Sequence, residues 1–500
     1  MATARMTPEG RPVAITVLMG PGAAAWSSAL EQAGWSHTEQ VRPTTPIAVT
    51  TGVVPPHLHA WIRGGGALVV EGAAGDDGVV PVCERWATVS GFDDPIDGSR
   101  VVMPGPIALY PGGGDGLVRV HEDRVVKHGL EQGRYPLVRY LRHGKGLIVF
   151  TGARLTDALM AHGDRLRAVA AWSPVTERMA SVDKAGISET LGWMVAAAAA
   201  RIGLPEVRRA PWPAGAASVL MLRVDGDGIF GERAKTIGTV ATALDVRATF
   251  FLNRELTEAH PGDLGTWLDA HDVGQHADTH DLFDEPAADR RNVEVGQAWV
   301  RSVTGRDPVG FVAPRGLWSP SLDRALAAVG HRWSSDFGLA TDSRPFWPIG
   351  SVLQLPVHAY SPERAARWAA EQGHPPPTPN DVRDHYLAHL EAQVRRGRPV
   401  HVYGHPEVLG TMAEQVLPPV VARARTLGLP VVTLDDLARH WEARRAARTV
   451  AMVTGGVDGP ALTIERTDPQ IALEVVLPRP MPVSLDGTSR GVLDGSVVLS

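Results

Sequence analysis

Along the first 205 residues, short apolar runs alternate with stretches in which apolar residues recur at helical spacing. Residues 12–19, 67–71 and 146–151 are apolar runs of strand length, whereas residues 24–32 and 57–63 have helical spacing. Strands that are apolar throughout are typical of parallel sheets covered on both faces. The pattern therefore predicts an α/β domain over residues 1–205.

The first region is predicted to contain two more helices, at residues 135–142 and at the alanine-rich stretch 187–202. Residues 207–217, with two prolines, then predict a linker. An apolar strand at 218–224 then opens a region of alternating strands and helices that extends to residue 445.

Beyond residue 448 the pattern changes to short β-branched segments, which predict a small all-β domain. We therefore expect three domains, at 1–205, 217–445 and 449–500. The expected fold class is α/β: a covered parallel sheet in the first domain, a second region of alternating strands and helices, and a β-rich end.

Composition narrows the classes of function only broadly. The 500 residues carry a net charge of −6, which gives no basis for binding nucleic acid or anionic lipid. One cysteine, Cys83, excludes an internal disulfide and a cysteine-rich metal site. No apolar run reaches the ~20 residues that a membrane span needs.

The beginning of the chain has a faint likeness to a signal peptide, because Arg5 and Arg11 precede the apolar run. Glycines at positions 20 and 22 follow this run directly, which favours a buried first strand ending in a turn. We therefore expect a cytoplasmic protein, with secretion as the alternative, and leave homo-oligomer formation open.

Chemistry-bearing residues concentrate in the central region. Asp225 and Asp227 directly follow the strand 218–224, at a position where α/β folds collect ligands, although an Asp-Gly turn is the commoner meaning of such a string. His276 and His280 are four residues apart, so a helix would place both on one turn and let them bind one metal ion. No glutamate stands between them, which excludes the metalloprotease arrangement.

Three further strings follow in order: Gly-Phe-Val-Ala-Pro-Arg-Gly-Leu-Trp at 310–318, Trp-Ser-Ser-Asp-Phe at 333–337, and a strand at 399–403 that runs into His405. Each string alone is compatible with an ordinary turn or loop. Together with the aspartates and the histidine pair, this ordered set resembles the polysaccharide deacetylase family, the NodB-homology carbohydrate esterases. The resemblance covers about residues 217–440.

The resemblance implies a deformed (β/α) barrel of about seven strands that binds one divalent metal ion. Asp227, His276 and His280 would be its ligands, with an open position left for water and substrate. Asp225 would be the general base and His405 the general acid, oriented by Asp336. Zinc is the expected ion, with cobalt, nickel or manganese as alternatives.

The same resemblance suggests groups around the substrate. The metal ion and a backbone N–H near Pro314 and Gly316 would hold the oxyanion. Trp318 could stack on a sugar ring and His358 could line the site, although packing roles are the commoner fate of both residue types.

The sequence departs from the family at three points. Val312 occupies the position of the arginine that pairs with the catalytic aspartate, and Arg315 or Arg223 could supply that charge. Ala277 stands where the family has a serine or threonine directly after the first metal-binding histidine. The choice of Asp227 over Asp225 as the metal ligand depends on how Gly226 is aligned.

The N-terminal domain resembles the flavodoxin-like sheet of class I glutamine amidotransferase-like modules, through residues 61–70. Those enzymes use a Gly-x-Cys-x-Gly nucleophile, and Cys83 has no such glycines around it. We therefore expect this domain to be non-catalytic.

The expected activity is metal-dependent removal of an acyl group, acetyl above all, from an amino sugar or a sugar-bearing small molecule. Two alternatives stay open at this point. The same metal site could hydrolyse a non-sugar linear or cyclic amide, or the barrel could be an inactive carbohydrate-binding protein.

Overall fold

The computed structural model describes residues 10–39, 44–72, 85–93, 99–109, 120–122, 137–226, 231–258, 264–348, 350, 352–456 and 459–500. The chain forms two compact units. The first contains Met1–Ala161, Val182–Gly215 and Ala443–Ser500, and the second contains His162–Ser181 and Ala216–Glu442. The three domain boundaries expected from the sequence stay a prediction.

The strands of the described residues are β1 Arg11–Pro12, β2 Ile15–Val17, β3 His37–Thr38, β4 Ile47–Thr51, β5 Ala67–Glu71, β6 Arg85–Asp93, β7 Arg100–Leu109, β8 Val120–Glu122, β9 Val138–His143, β10 Gly146–Thr151, β11 Asp164–Ala170, β12 Ser173–Ala180, β13 Glu206–Arg209, β14 Leu220–Gly226, β15 Thr249–Leu252, β16 Asp272–Gln275, β17 Gly310–Phe311, β18 Trp333–Ser334, β19 Leu353–Gln354, β20 Val400–Gly404, β21 Thr449–Gly456, β22 Gly459–Arg466, β23 Leu473–Val476, β24 Met481–Leu485, β25 Thr488–Leu493 and β26 Ser496–Leu499. The helices are α1 Ala23–Ala33, α2 Leu58–Arg63, α3 Leu155–Met160, α4 Lys184–Arg201, α5 Gly231–Ala243, α6 Arg254–Thr257, α7 Pro286–Thr304, α8 Pro320–Val329, α9 Pro362–Glu371, α10 Pro379–Arg396, α11 Pro406–Thr426 and α12 Leu434–Ala446.

The first unit contains a six-stranded sheet in the order β3-β2-β4-β5-β10-β9. Its first five strands are parallel, and their order is the 2-1-3-4-5 order of flavodoxin-like folds. Both faces of β5 and β10 are buried, as their continuous apolar sequences predict. The predicted flavodoxin-like sheet is therefore confirmed, whereas Cys83 lies outside the described residues.

The helix predicted at 135–142 is wrong, because β9 pairs antiparallel with β10 at the edge of this sheet. Gly144 has a φ of 65° in the two-residue turn between the two strands, a conformation that favours glycine. The hairpin partner follows immediately along the chain, and pairing with it outweighs the helical spacing of the apolar residues.

The β-rich region at the end of the chain is present, and its sheets recruit strands from earlier in the sequence. One sheet has the order β1-β21-β22-β24-β25, and another has the order β13-β23-β26. Strand β13 occupies part of the segment predicted as a linker. Val207 is buried there in the β-sheet core, so the linker prediction is wrong for residues 207–209.

The second unit is built on a parallel seven-stranded sheet in the order β19-β18-β17-β16-β15-β14-β20. Because side chains alternate along a strand, Leu222 and Val224 of β14 pack in the core with helices α5, α10 and α11, and Arg223 and Asp225 face the opposite side. The described strands leave β19 and β20 unpaired with each other, so the sheet is a half-barrel. This agrees with the deformed barrel that was expected.

Within the described ranges, no helix combines the length and the apolar composition that crossing a bilayer requires.

Candidate functional site

Asp225 lies at the carboxyl end of β14 and is bound by an arginine two residues earlier on the same strand. Arg223 donates from Nε to Asp225 Oδ1 at 2.8 Å and from one terminal nitrogen to Oδ2 at 2.6 Å. A second terminal nitrogen donates to the backbone oxygen and the hydroxyl of Ser335. Both charged side chains are buried, so this is a bidentate ion pair inside the half-barrel.

Aromatic rings enclose the guanidinium of Arg223. Its central carbon lies 4.7 Å from the ring centroid of Tyr403 and 5.6 Å from that of Phe251. Burial disfavours the charge of Arg223, and the Asp225 carboxylate outweighs this effect, so the pKa of Arg223 lies above its usual value. Arg223 thus supplies the positive charge that Val312 cannot.

Arg315, the other arginine considered for this role, is largely exposed and pairs with Asp281. It lies in a short 3₁₀ turn with a φ of 60°, next to the buried Pro314 and Gly316. The N–H of Gly316 donates to the Ala313 oxygen at 2.9 Å. In this conformation that N–H is therefore engaged in the turn, and the structure does not aim it at an oxyanion.

His276 and His280 follow β16 in an irregular loop and do not lie on a helix, so the predicted helical turn is wrong. Ala277 interrupts helical geometry with a φ of 66°, and its side chain is buried in a small apolar cluster with Val293 and Phe311. The loop still brings the two imidazole rings together, with 5.1 Å between their centroids.

The orientation of His276 suits metal binding. Its Nδ1–H donates to the backbone oxygen of Val312 at 2.8 Å, and a carbonyl can only accept. The neutral ring then carries its lone pair on Nε2, which is the arrangement found in metal-binding histidines. Val312 therefore contributes its backbone to the site although its side chain lacks charge.

Two asparagine side chains form hydrogen bonds with the backbone of the loop that carries His276 and His280. Asn253 is fully buried and donates to the backbone oxygen of His276 at 2.6 Å. Asn292 of α7 accepts from the backbone N–H groups of Asp278 and Thr279 at 3.1 and 2.8 Å. Asp227, the predicted third ligand, lies outside the described residues. A histidine with a fixed tautomer beside a second histidine fits a divalent metal ion.

His405 directly follows β20 and is paired with a glutamate that sequence analysis missed. Its Nδ1–H donates to Glu363 Oε2 at 3.2 Å, and its Nε2 lies 3.4 Å from the hydroxyl of Tyr403. The other carboxylate oxygen of Glu363 accepts from the N–H groups of Val408 and Leu409 at the beginning of α11. The helix therefore fixes Glu363, and Glu363 orients His405.

Asp336 was predicted to orient His405, and its observed contacts are elsewhere. It accepts from the Ala313 N–H at 2.8 Å and is hydrogen-bonded to Ser334 and Gln354. Complete burial raises its pKa to about 6, although these contacts and Arg223 act in the opposite direction. Asp336 thus braces the loop that begins at Ala313.

Two of the four residues predicted to bind substrate, Trp318 and His358, pack into the structure. Trp318 is half-buried against Leu339 and Phe346. His358 is buried, and its Nδ1–H donates to Asp342 at 3.0 Å. Asp342 and His358 belong to a group with His385, His389 and His401 that we call the inner histidine cluster.

Burial lowers the pKa of three of these histidines: to about 2 for His385, well below the usual value for His389 and to about 3 for His401. They are therefore neutral at neutral pH.

Neither Arg223 nor Glu363 could be assigned with certainty from sequence. The spacing of Arg223 and Asp225 places both on one face of a strand, which is a usable signal. Glu363 precedes His405 by 42 residues and only the fold brings them together.

Comparison with known proteins identifies the central segment. Residues 217–334 match the family model described as polysaccharide deacetylase. The predicted resemblance is thus confirmed for this segment. No curated protein matches the chain.

Several solved structures show distant similarity to the chain. A putative polysaccharide deacetylase from Mycobacterium smegmatis shares 19% identity over 47% of this chain and 93% of its own, with a TM-score of 0.42. The allantoinase Puue shares 15% over 47% and 93%, with a TM-score of 0.39. A CE4 family pseudoenzyme from Bacillus anthracis shares 15% over 44% and 65%, with a TM-score of 0.31. Similarity at this level does not assign an activity.

Proposed function

We propose that the second unit, which contains the matched segment 217–334, hydrolyses an N-acyl amide, above all an N-acetyl amide, on an amino sugar or a sugar-bearing small molecule. We call this second unit the deacetylase-like unit. The observation that carries this proposal is a carboxylate and an imidazole at neighbouring strand ends, each held by its own charged partner. Val224 of β14 is in register with Gly404 of β20. Asp225, near the end of β14, and His405, directly after β20, are therefore neighbours, with the two backbones about 5 Å apart. Such a pair suits acid–base catalysis on one carbonyl group.

Each residue has a defined task in this reaction. Asp225 accepts a proton from the water that attacks the carbonyl carbon, and His405 donates a proton to the nitrogen as the carbon–nitrogen bond breaks. Arg223 keeps the Asp225 carboxylate in place. Glu363 orients the imidazole of His405, so that its other nitrogen can face the leaving nitrogen.

His276, His280 and Asp227 are the residues that would hold a divalent metal ion, with zinc expected from two imidazoles and one carboxylate. The ion would polarise the carbonyl group and promote ionisation of a water molecule. Val312 and Asn253 position His276 for this role through its ring and its backbone.

The test is acetate release from N-acetylated amino sugars and their oligomers, measured on wild type, Asp225→Asn and His405→Gln. We expect each variant to lose activity by about 100-fold or more, since each removes one acid–base group. Exposed positions of the same unit provide matched controls, Asp384→Asn and His374→Gln, which should keep wild-type rates. Unchanged turnover in Asp225→Asn would show that the catalytic assignment is wrong.

The choice of substrate is tested in the same assay. If acetate is released only from non-sugar amides, the proposed substrate class changes from amino sugars to those amides, and the assignment of the catalytic residues stays the same. Binding of amino sugars without turnover of any amide would favour the inactive binding protein instead. The cytoplasmic location stays a prediction.

A further inference from the structure

The inner histidine cluster shares no residue with the pair His276 and His280 and combines residues from three parts of the deacetylase-like unit. Asp342 follows β18, His358 follows β19, and His385 and His389 lie one turn apart on α10. The two rings of His358 and His389 stack with 3.7 Å between their centroids. The contacts described above for Asp225 and His405 do not involve this cluster.

We propose that Asp342, His358 and His389 bind a divalent transition-metal ion, at a site separate from the one predicted at His276 and His280. One donor atom from each residue can be chosen so that all three lie within 4.8 Å of one another. His358 Nδ1 lies 3.0 Å from Asp342 Oδ2, and His389 Nε2 lies 3.7 Å from Asp342 Oδ1. A tetrahedral zinc site with bonds of about 2.0–2.1 Å has ligand atoms about 3.3 Å apart, which these distances bracket.

An unsatisfied buried nitrogen provides independent support. His389 Nε2 is buried and lacks a hydrogen-bond partner among the described residues, although it faces the Asp342 carboxylate. Both ring nitrogens of the neighbouring His401 are likewise buried without a partner there. Leaving such groups unpaired is unfavourable, and a bound ion would remove this cost at His389.

The second layer of residues can fix the tautomers that binding requires. If Nδ1 of His358 binds the ion, its proton moves to Nε2, which faces His385 Nε2 at 3.1 Å. Nδ1 of His389 lies 3.4 Å from the amide nitrogen of Gln393. Rotating this amide group by 180° exchanges its nitrogen and oxygen, and the oxygen can then accept from Nδ1–H of His389. Each ligand imidazole thus has a partner for its other nitrogen, as bound histidines have in metal proteins.

Charge also favours a cation at this place. The Asp342 carboxylate is mostly buried and faces His358 and His389, and it has no arginine or lysine partner in the part of the chain that the structure describes. A divalent ion would offset the charge of this buried carboxylate. Binding requires one of the two stacked rings to tilt, since an ion between parallel rings lies outside both ring planes.

His401 and His405 are four residues apart, which corresponds to about 13 Å along a strand. The inference does not rest on the proposed deacetylase activity, because the ion would bind whether or not the unit hydrolyses amides.

The test is the metal content of the full-length protein after chelation, reloading with zinc and removal of free ion. We expect about two ions per chain in wild type and about one in either Asp342→Asn or His389→Gln. The pair His276→Ala/His280→Ala should also retain about one ion, and its combination with His389→Gln should retain none. His374→Gln, an exposed histidine of the same unit, is the control and should match wild type.

The variants separate this inference from the proposed function. A metal content equal to wild type in both Asp342→Asn and His389→Gln overturns the inner site. A wild-type content in His276→Ala/His280→Ala overturns the predicted catalytic site and leaves the inner site standing. If the cluster variants fail to fold by circular dichroism, cobalt titration of His276→Ala/His280→Ala followed by visible absorption decides: saturation at about one equivalent supports the inner site, and no binding overturns it.

Discussion

Arg223 and Asp225 point to the same side of β14 because side chains alternate along a strand. The pair is buried and bidentate, and its guanidinium lies between the rings of Tyr403 and Phe251. Removing one member of such a pair leaves the other charge buried without a partner, which is far more costly than losing an exposed pair.

We therefore predict that Arg223→Gln lowers the free energy of unfolding by about 3–5 kcal/mol and abolishes activity, because Asp225 loses its only bidentate partner among the described residues. Arg315→Gln should change stability by less than about 1 kcal/mol, since its pair with Asp281 is exposed. Urea unfolding followed by circular dichroism compares the two variants. Equal effects would contradict the assignment of the charge to Arg223.

Glu363 influences the reaction only through His405, so it is a positioning residue. In Glu363→Gln the side chain can still accept from the N–H groups of α11, but the negative charge beside His405 is lost. We predict a fall in kcat of about 10–100-fold with little change in KM. A variant that changes only stability would indicate a merely structural role.

At the scale of elements, glycines on two central strands make room for aromatic residues inside the half-barrel. Gly274 of β16 and Gly310 of β17 lie between Phe251 of β15 and Trp333 of β18. The two rings meet edge to face across these strands, with 5.8 Å between their centroids. A methyl group on either glycine would overlap a ring, at 2.3 Å from Phe251 or 2.0 Å from Trp333.

We predict that Gly310→Ala destabilises the deacetylase-like unit by about 1–3 kcal/mol or more, because the indole of Trp333 must move. Gly265→Ala is the matched control, because its added methyl group would meet only the edge of Trp267, at 3.1 Å. Gly305→Ala would not serve, because Gly305 has a positive φ. The midpoint of thermal unfolding should fall clearly for Gly310→Ala and much less for Gly265→Ala. Similar shifts in both would argue against the aromatic contact as the cause.

Helical spacing of histidines was an unreliable signal of secondary structure. His276 and His280 have the spacing of a helical pair and lie in a loop, because Ala277 takes a left-handed conformation and Asn292 binds the loop backbone. His385 and His389 have the same spacing on the real helix α10. Neither Ala277 nor Asn292 carries a local pattern that would reveal these contacts, which depend on tertiary packing.

At the scale of the whole molecule, parallel strands were predictable because each is continuously apolar and fully buried, as β5 and β10 show. Pairings between distant segments were not, since β13 gains its partner β23 only after more than 250 residues of chain. For the same reason the ion pair of Asp225 could be anticipated from neighbours on one strand, whereas that of His405 could not.

Buried histidines also make the stability of the molecule depend on acid. Burial lowers the pKa of His331 to about 4, of His385 to about 2 and of His401 to about 3, all below the ordinary 6.5. A lowered pKa gives stability that is complete above pH 6.5 and is lost as the pH falls toward the folded value. Between pH 6.5 and 4 each of these histidines should cost about 3 kcal/mol. Burial raises the pKa of Asp323 and Asp336 to about 6, which recovers about 2–3 kcal/mol each over this range.

The three histidines outweigh the two aspartates, so we predict that the free energy of unfolding falls between pH 6.5 and pH 4, as measured by urea titration at several pH values. His331→Gln tests the cause, because Gln can still donate to the Gln275 oxygen and does not titrate. Its loss of stability over the same range should be about 3 kcal/mol smaller than that of wild type. His374→Gln removes an exposed histidine and should keep the wild-type dependence. If both variants follow the wild-type curve, the acid sensitivity arises elsewhere than in the buried imidazole of His331.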